Sequence, residues 1–207
     1  SKLNIINFSN VSSCGTATEE SLPCMFSHLT YGEGRSRKAR HYENLLDVLK
    51  HAGLSVLWRD NNTGCKGLCN RVDWENMRNL SIPGLCQDGE CHDEVLLDKI
   101  QAYIDAKKGD VFIVLHQFGS HGPAYYKRYP ARFAQFTPEC KDNRVSRCSR
   151  QEIVNAYDNT ILYTDYFLSK VINLLEKNSD HSLTAMLYIS DHGESLGEKN
   201  LYLHGMP

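Results

Sequence analysis

Along this chain, short runs of apolar residues alternate with longer stretches in which apolar residues return every three or four positions. Residues 4–8 (NIINF), 54–58 (LSVLW), 111–115 (VFIVL) and 183–189 (LTAMLYI) read as strands. Between them, helical spacing predicts a helix from about Thr18 to Phe26 and a second through Leu45, Leu46, Val48, Leu49 and Ala52, closed by Gly53. A third runs through Val95, Leu96, Ile100, Tyr103 and Ile104, and a long one, straight or bent, from Ile153 to Leu175. Residues 59–91 and 117–150 read as polar loops. The order β-α-β-α-β-α-β predicts a mainly parallel sheet sandwiched by helices, an α/β/α fold. No repeat, low-complexity tract or linker divides residues 1–207, so a single domain is expected.

Composition narrows the partners more than the fold. Apolar residues make up 41% of the chain and the formal charge is −2, which argues against a nucleic-acid surface. The longest aliphatic run, 111–115, is far short of the roughly 20 residues needed to span a bilayer. The opening SKLNIINFSN lacks the basic and apolar regions of an export signal, so any signal or anchor is expected outside this chain.

The 8 cysteines fall into close pairs in loop-like sequence: Cys14 with Cys24, Cys65 with Cys69, Cys86 with Cys91, and Cys140 with Cys148. Four short-loop disulfides are expected, with adjacent pairing as an assumption. Zinc ligation is the rival reading, but only CKGLC approaches a zinc knuckle and it has no matching half-site. Disulfides imply an oxidising compartment.

In sheets of this kind the ligand crevice lies beyond the carboxyl ends of the strands. The four segments that follow the expected strands are SNVSSCGTAT, RDNNTGCKG, HQFGSHGP and SDHGESLG, and each carries groups able to meet a metal or a phosphate. Asp191 and His192 offer an oxygen and a nitrogen ligand suited to Zn²⁺, with Gly193 supplying the turn that lets neighbours face one ion. The plain alternative is a capped turn with a hydrogen-bonded histidine. Thr18 stands at a helix start, where a phosphate is favoured and where zinc would activate its hydroxyl as a nucleophile. Thr16, Thr18 and Ser21 are equally suited to cap that helix. Lys66, between two cysteines, is either a fixed cation for a phosphate or a solvated loop lysine. His121 and His204 each sit beside a glycine that can expose an imidazole to a ligand, or serve as a core or capping group. His116 is expected to pack.

Taken together, NVSSCGTATEESLPCMFS, LWRDNNTGCKG, GECHDEVLL, LHQFGSHGPAYYKRYP, FTPEC, NAYDNTILYTDYFL and YISDHGESLGEKNLYLHGMP closely resemble the bacterial phosphoethanolamine transferases that modify lipid A. That family includes the mobile colistin-resistance enzymes and belongs to the alkaline phosphatase superfamily. The resemblance implies an α/β/α periplasmic catalytic domain, carried at the inner membrane by a separate helical anchor domain. It implies Thr18 as the nucleophile and Thr18, Asp191 and His192 as ligands of one zinc. His121, His204 and Lys66 would surround the phosphate or a second zinc. Phosphatidylethanolamine is the implied donor and lipid A the acceptor, in a monomer. The family's first zinc ligand, a glutamate on an upstream strand, has no counterpart here. The chain is accordingly expected to be an internal portion of the catalytic domain, without the anchor, the first core strand and the C-terminal end, and to bind zinc more weakly than the whole. A phosphodiesterase or sulfatase-type hydrolase is the nearest alternative, disfavoured because no CxPxR motif lies around Cys14 to Cys24. A silent zinc-binding domain is the alternative from another class.

Overall fold

The computed structural model describes residues 4–29 and 41–205; the last two residues of LHGMP lie outside the described part. Its centre is a parallel sheet of three strands in the order β2-β1-β5: β1 Ser55–Asp60, β2 Asp73–Asn76 and β5 Val111–His116; the short strands β3 Cys86–Gln87 and β4 Glu90–Cys91 pair as a separate hairpin. The register sets Ser55 against Val111 and Asp60 against His116, so β1 and β5 end level. Strand β2 falls in a stretch read from sequence as loop. It is an edge strand whose DWEN has little apolar character, and only its pairing with β1 makes it a strand.

Two expected strands do not join the sheet. Residues 4–8 and 183–189 form no ladder, and Ile5, Ile6, Phe8, Leu187 and Ile189 are exposed. Their apolar pattern is strand-like, but a strand exists only where a neighbour takes its backbone hydrogen bonds. Neither segment pairs with a described strand.

Helices cover both faces of the sheet, as expected. Alternating side chains of β1 point opposite ways. Val56 and Trp58 join Leu22 of α1 (Thr18–Phe26) and Leu46 of α2 (Leu45–His51) in one core. Helix α2 starts at a capping box between Asn44 and Asp47, and Gly53 follows it at φ +94°. On the other face lie the 3₁₀ turn Asp93–Leu97, α3 (Ile100–Asp105) and α4 (Arg150–Asn178). There Val95, Leu96, Phe167 and Val171 pack with Leu115. The one helix expected over 95–104 is split by Lys99, whose φ is +53°. The long helix forms as one 29-residue element capped by Ser149 and Glu152. All four expected disulfides are present. No helix of the described residues is long and apolar enough to cross a membrane.

At the carboxyl end of β1 a buried carboxylate organises the crevice. Asp60 accepts hydrogen bonds from Trp58 Nε1 and His116 Nδ1 on one oxygen, and from the Asn62 and Gly64 N–H groups on the other. Burial alone would raise its pKa, but these donors outweigh burial and hold it below the usual carboxylate range. A depressed folded pKa contributes stability that is complete above the unfolded value of about 4 and is lost as pH falls through the folded value. Asp60→Asn turns an amide donor onto one of these donor pairs. It is expected to cost about 3 kcal/mol at neutral pH, with the gap to the parent closing below about pH 4. Urea titrations at pH 7 and pH 3 check this; an equal gap at both would refute it.

Candidate functional site

Three loops deliver the site. The first ends in α1, whose N-cap is Ala17, with no side-chain cap bond. Thr16, Thr18 and Ser21 therefore do not cap the helix, contrary to the capping alternative: Ser21 Oγ bonds the Gly15 carbonyl instead, and Gly15 leaves no room for a β-carbon beside Glu20. Thr18 is the first helical residue, 8% exposed, and its hydroxyl lies 3.3 Å from His192 Nε2. The Cys14–Cys24 disulfide closes the loop around it. Leading N–H groups of a helix have no carbonyl within it to bond, which leaves positive potential beside that hydroxyl.

The second delivery is the turn after residue 189. Asp191 Oδ2 stands 3.6 Å from His192 Nε2, is buried and has no hydrogen-bond partner. His192 Nδ1 donates to the Gly193 carbonyl at 2.8 Å. That bond orients the ring so that Nε2 is aimed at Thr18.

A hairpin of β6 (Ser195–Leu196) and β7 (Tyr202–Leu203) comes next, and its register explains a residue that sequence reading missed. Ser195 pairs with Leu203, which sets Glu194 opposite His204 at the open end. His204 Nδ1 donates to Glu194 Oε2 at 2.7 Å, while Tyr125 Oη donates to Oε1 at 2.6 Å. Burial and the Glu194 carboxylate push the Tyr125 phenol far up, so it stays a protonated donor. Glu194 stands inside SDHGESLG, but only the pairing of a hairpin too short to predict gives it this role. The third loop, after β5, carries His121, whose Nδ1 donates to the Gly122 carbonyl at 2.6 Å. Gly122 is required by crowding: a β-carbon would come within 2.6 Å of Leu203 and 2.8 Å of Glu194 Oε1.

The imidazoles of His121, His204 and His192 thus stand in a row, with ring centroids 4.7 and 4.4 Å apart. Each directs Nδ1–H to an oxygen, which makes Nε2 the nitrogen turned toward the site, as in metal-ligating and proton-carrying histidines. Burial pushes the His121 pKa down, which favours its neutral form. Lys66 lies at the margin of this cluster. Its ammonium bonds the Thr63 carbonyl and hydroxyl and stands 3.8 Å from Glu19, the neighbour of Thr18. His116 packs on Trp58 and pairs with Asp60, supporting the crevice from behind.

Two overlapping groups could hold a metal. His192, Glu194 and His204 bring ligand atoms within 4.8 Å of one another, but both Glu194 oxygens already have donors. Thr18, Asp191 and His192 fit better. Oxygen and nitrogen ligands at about 2.0–2.1 Å from a tetrahedral zinc stand about 3.3–3.4 Å apart, and the separations here are 3.3 and 3.6 Å. The orphaned Asp191 oxygen is the atom an ion would satisfy.

The sulfatase family profile matches residues 1–207. The chain is 52% identical over 206 residues to phosphoethanolamine transferase EptA of Salmonella typhimurium, covering all of this chain and 38% of that protein. It is 46% identical to phosphatidylethanolamine transferase Mcr-1 of Escherichia coli, covering 98% of this chain and 39% of that protein. The fold matches the soluble domain of lipooligosaccharide phosphoethanolamine transferase A from Neisseria meningitidis, with a TM-score of 0.90 and 45% identity, over 97% of this chain and 60% of that one. The chain therefore spans well under half the length of the EptA and Mcr-1 relatives. Its parallel sheet flanked by helices, its full-length profile match and this degree of identity place it plainly: the chain belongs to the sulfatase family, among close homologues that are phosphoethanolamine transferases.

Proposed function

We propose that the protein containing this chain transfers phosphoethanolamine from phosphatidylethanolamine to a phosphate of lipid A, through an intermediate on Thr18. The observation that carries this reading is the hydroxyl of Thr18, freed from helix capping and 3.3 Å from His192 Nε2, with the unpartnered Asp191 oxygen beside that nitrogen. The names of the relatives support the transferred group, the donor and a lipid-linked saccharide acceptor. The family name alone would suggest sulfate-ester hydrolysis, but relatives at about half identity carry transferase names.

Thr18 Oγ attacks the phosphorus of the donor, its proton leaves, and the bond to the diacylglycerol oxygen breaks. An acceptor phosphate oxygen then attacks the same phosphorus, the bond from phosphorus to Thr18 Oγ breaks, and the acceptor's proton passes to Thr18. His204, oriented by Glu194, is assigned the proton that passes from Thr18 to the departing oxygen; His121 faces the phosphoryl group from the neighbouring loop. Lys66 adds positive charge at the margin. Thr18, Asp191 and His192 would hold a zinc ion, which when bound lowers the pKa of an oxygen at the site and offsets phosphoryl charge. The four disulfides suit the periplasmic face of the inner membrane, and modified lipid A would attract cationic peptides such as colistin less.

The test is incubation of the full-length protein with phosphatidylethanolamine and lipid A, followed by mass spectrometry of both lipids. Diacylglycerol release matched by phosphoethanolamine on lipid A is expected. Release of free phosphoethanolamine without lipid A modification would establish a hydrolase instead.

A further inference from the structure

We propose that Asp93 is a positioning residue that fixes the loop delivering His121; this rests on the role given to His121 above. Asp93 opens the 3₁₀ turn after the Cys86–Cys91 hairpin and is 4% exposed. One carboxylate oxygen accepts the Phe118 N–H and Asn61 Nδ2, and the other accepts the Gly119 N–H, all at 2.8 Å. Burial pushes the Asp93 carboxyl above the usual carboxylate range, and the three donors counter that push only while the loop stays in place.

The rest of the loop is held in the same manner. Asn62 Nδ2 donates to the Gln117 carbonyl at 2.9 Å, and the Ser120 hydroxyl shares a 2.6 Å hydrogen bond with that of Thr160 on α4. Gly119 takes φ +58°, a conformation that a free loop would leave readily. The Phe118 ring, whose backbone Asp93 holds, lies 5.1 Å from the His121 ring and 3.9 Å from the Arg128 guanidinium. Each residue between β5 and His121 thus has an anchor, and Asp93 holds two of them. Asparagine cannot replace it, because both oxygens face N–H donors and an amide nitrogen would meet one of them.

The test is a double-mutant cycle of Asp93→Asn and His121→Ala in the full-length protein, with histidine-ring NMR on the same samples. Asp93→Asn is expected to lower kcat about 10- to 100-fold with KM changed less than about 3-fold, and to shift or broaden the His121 ring signals. The double variant should be no slower than His121→Ala alone, because a residue acting through His121 has nothing left to position. Losses that multiply, a change confined to KM, or an unmoved His121 signal would overturn the proposal. If Asp93→Asn does not fold, the same cycle with Thr160→Val loosens the loop from its other anchor, and Thr160→Ser should restore it; failure of either arm counts against the proposal. An inactive parent enzyme would sink the transferase reading, while the NMR arm would still judge the positioning role.

Discussion

Thr18→Ala in the full-length protein is expected to fold, to melt within about 0.5 kcal/mol of the parent, and to transfer no phosphoethanolamine. The stability half follows from the cap geometry. Ala17 is the N-cap and no side chain caps the helix, so removing the Thr18 hydroxyl deletes no cap bond, and alanine is the better helix former. The activity half follows from chemistry: no oxygen remains to attack phosphorus, and loss of a nucleophile commonly costs about 10³-fold or more. Serine keeps an oxygen without the methyl group that fixes its rotamer, so partial activity is expected there. Mass spectrometry of the parent after incubation with phosphatidylethanolamine should find phosphoethanolamine on the peptide containing Thr18. An adduct on Thr16 or Ser21, or an active Thr18→Ala enzyme, would refute the assignment.

How much of this was legible in the sequence depends on how local each feature is. Strands β1 and β5 were visible because LSVLW and VFIVL are nearly continuous apolar runs whose character needs no partner to be read. Strand β2 was not, because an edge strand of polar residues is defined by pairing. Residues 4–8 and 183–189 fail in the opposite sense: their apolar pattern is real, yet they pair with no described strand. The disulfides could be paired because each loop is short; their separations run from 4 to 10 residues. Thr18 stands at a helix start, Asp191 and His192 precede the Gly193 turn, His121 and His204 each stand beside a glycine, and the fold brings them together. Glu194 and Asp93 were missed because their roles are long-range. The first depends on a two-residue hairpin register, the second on bonds to a loop 25 residues away in sequence. Lys66 was expected to face a phosphate; its ammonium is held by Thr63 and stands near Glu19, at the edge of the site.

The two candidate metal groups share His192 and differ in which carboxylate joins it, and this difference is measurable. In the full-length protein, Asp191→Asn and His192→Ala are each expected to lose most of the zinc measured by elemental mass spectrometry, and transfer activity with it, because each removes a ligand. Glu194→Gln should behave otherwise. Both Glu194 oxygens are occupied by Tyr125 and His204, so the change leaves the ligand set whole and disturbs the orientation of His204. Zinc content should stay close to the parent's while kcat falls about 10- to 100-fold, the usual cost of an orienting partner. Chelation of the parent should abolish transfer, and added zinc should restore it, since the disulfides and the cores on the two faces of the sheet are built without the ion. Zinc lost from Glu194→Gln as completely as from Asp191→Asn would move the ion to the His192, Glu194 and His204 group. Full zinc occupancy in His192→Ala would remove it from both.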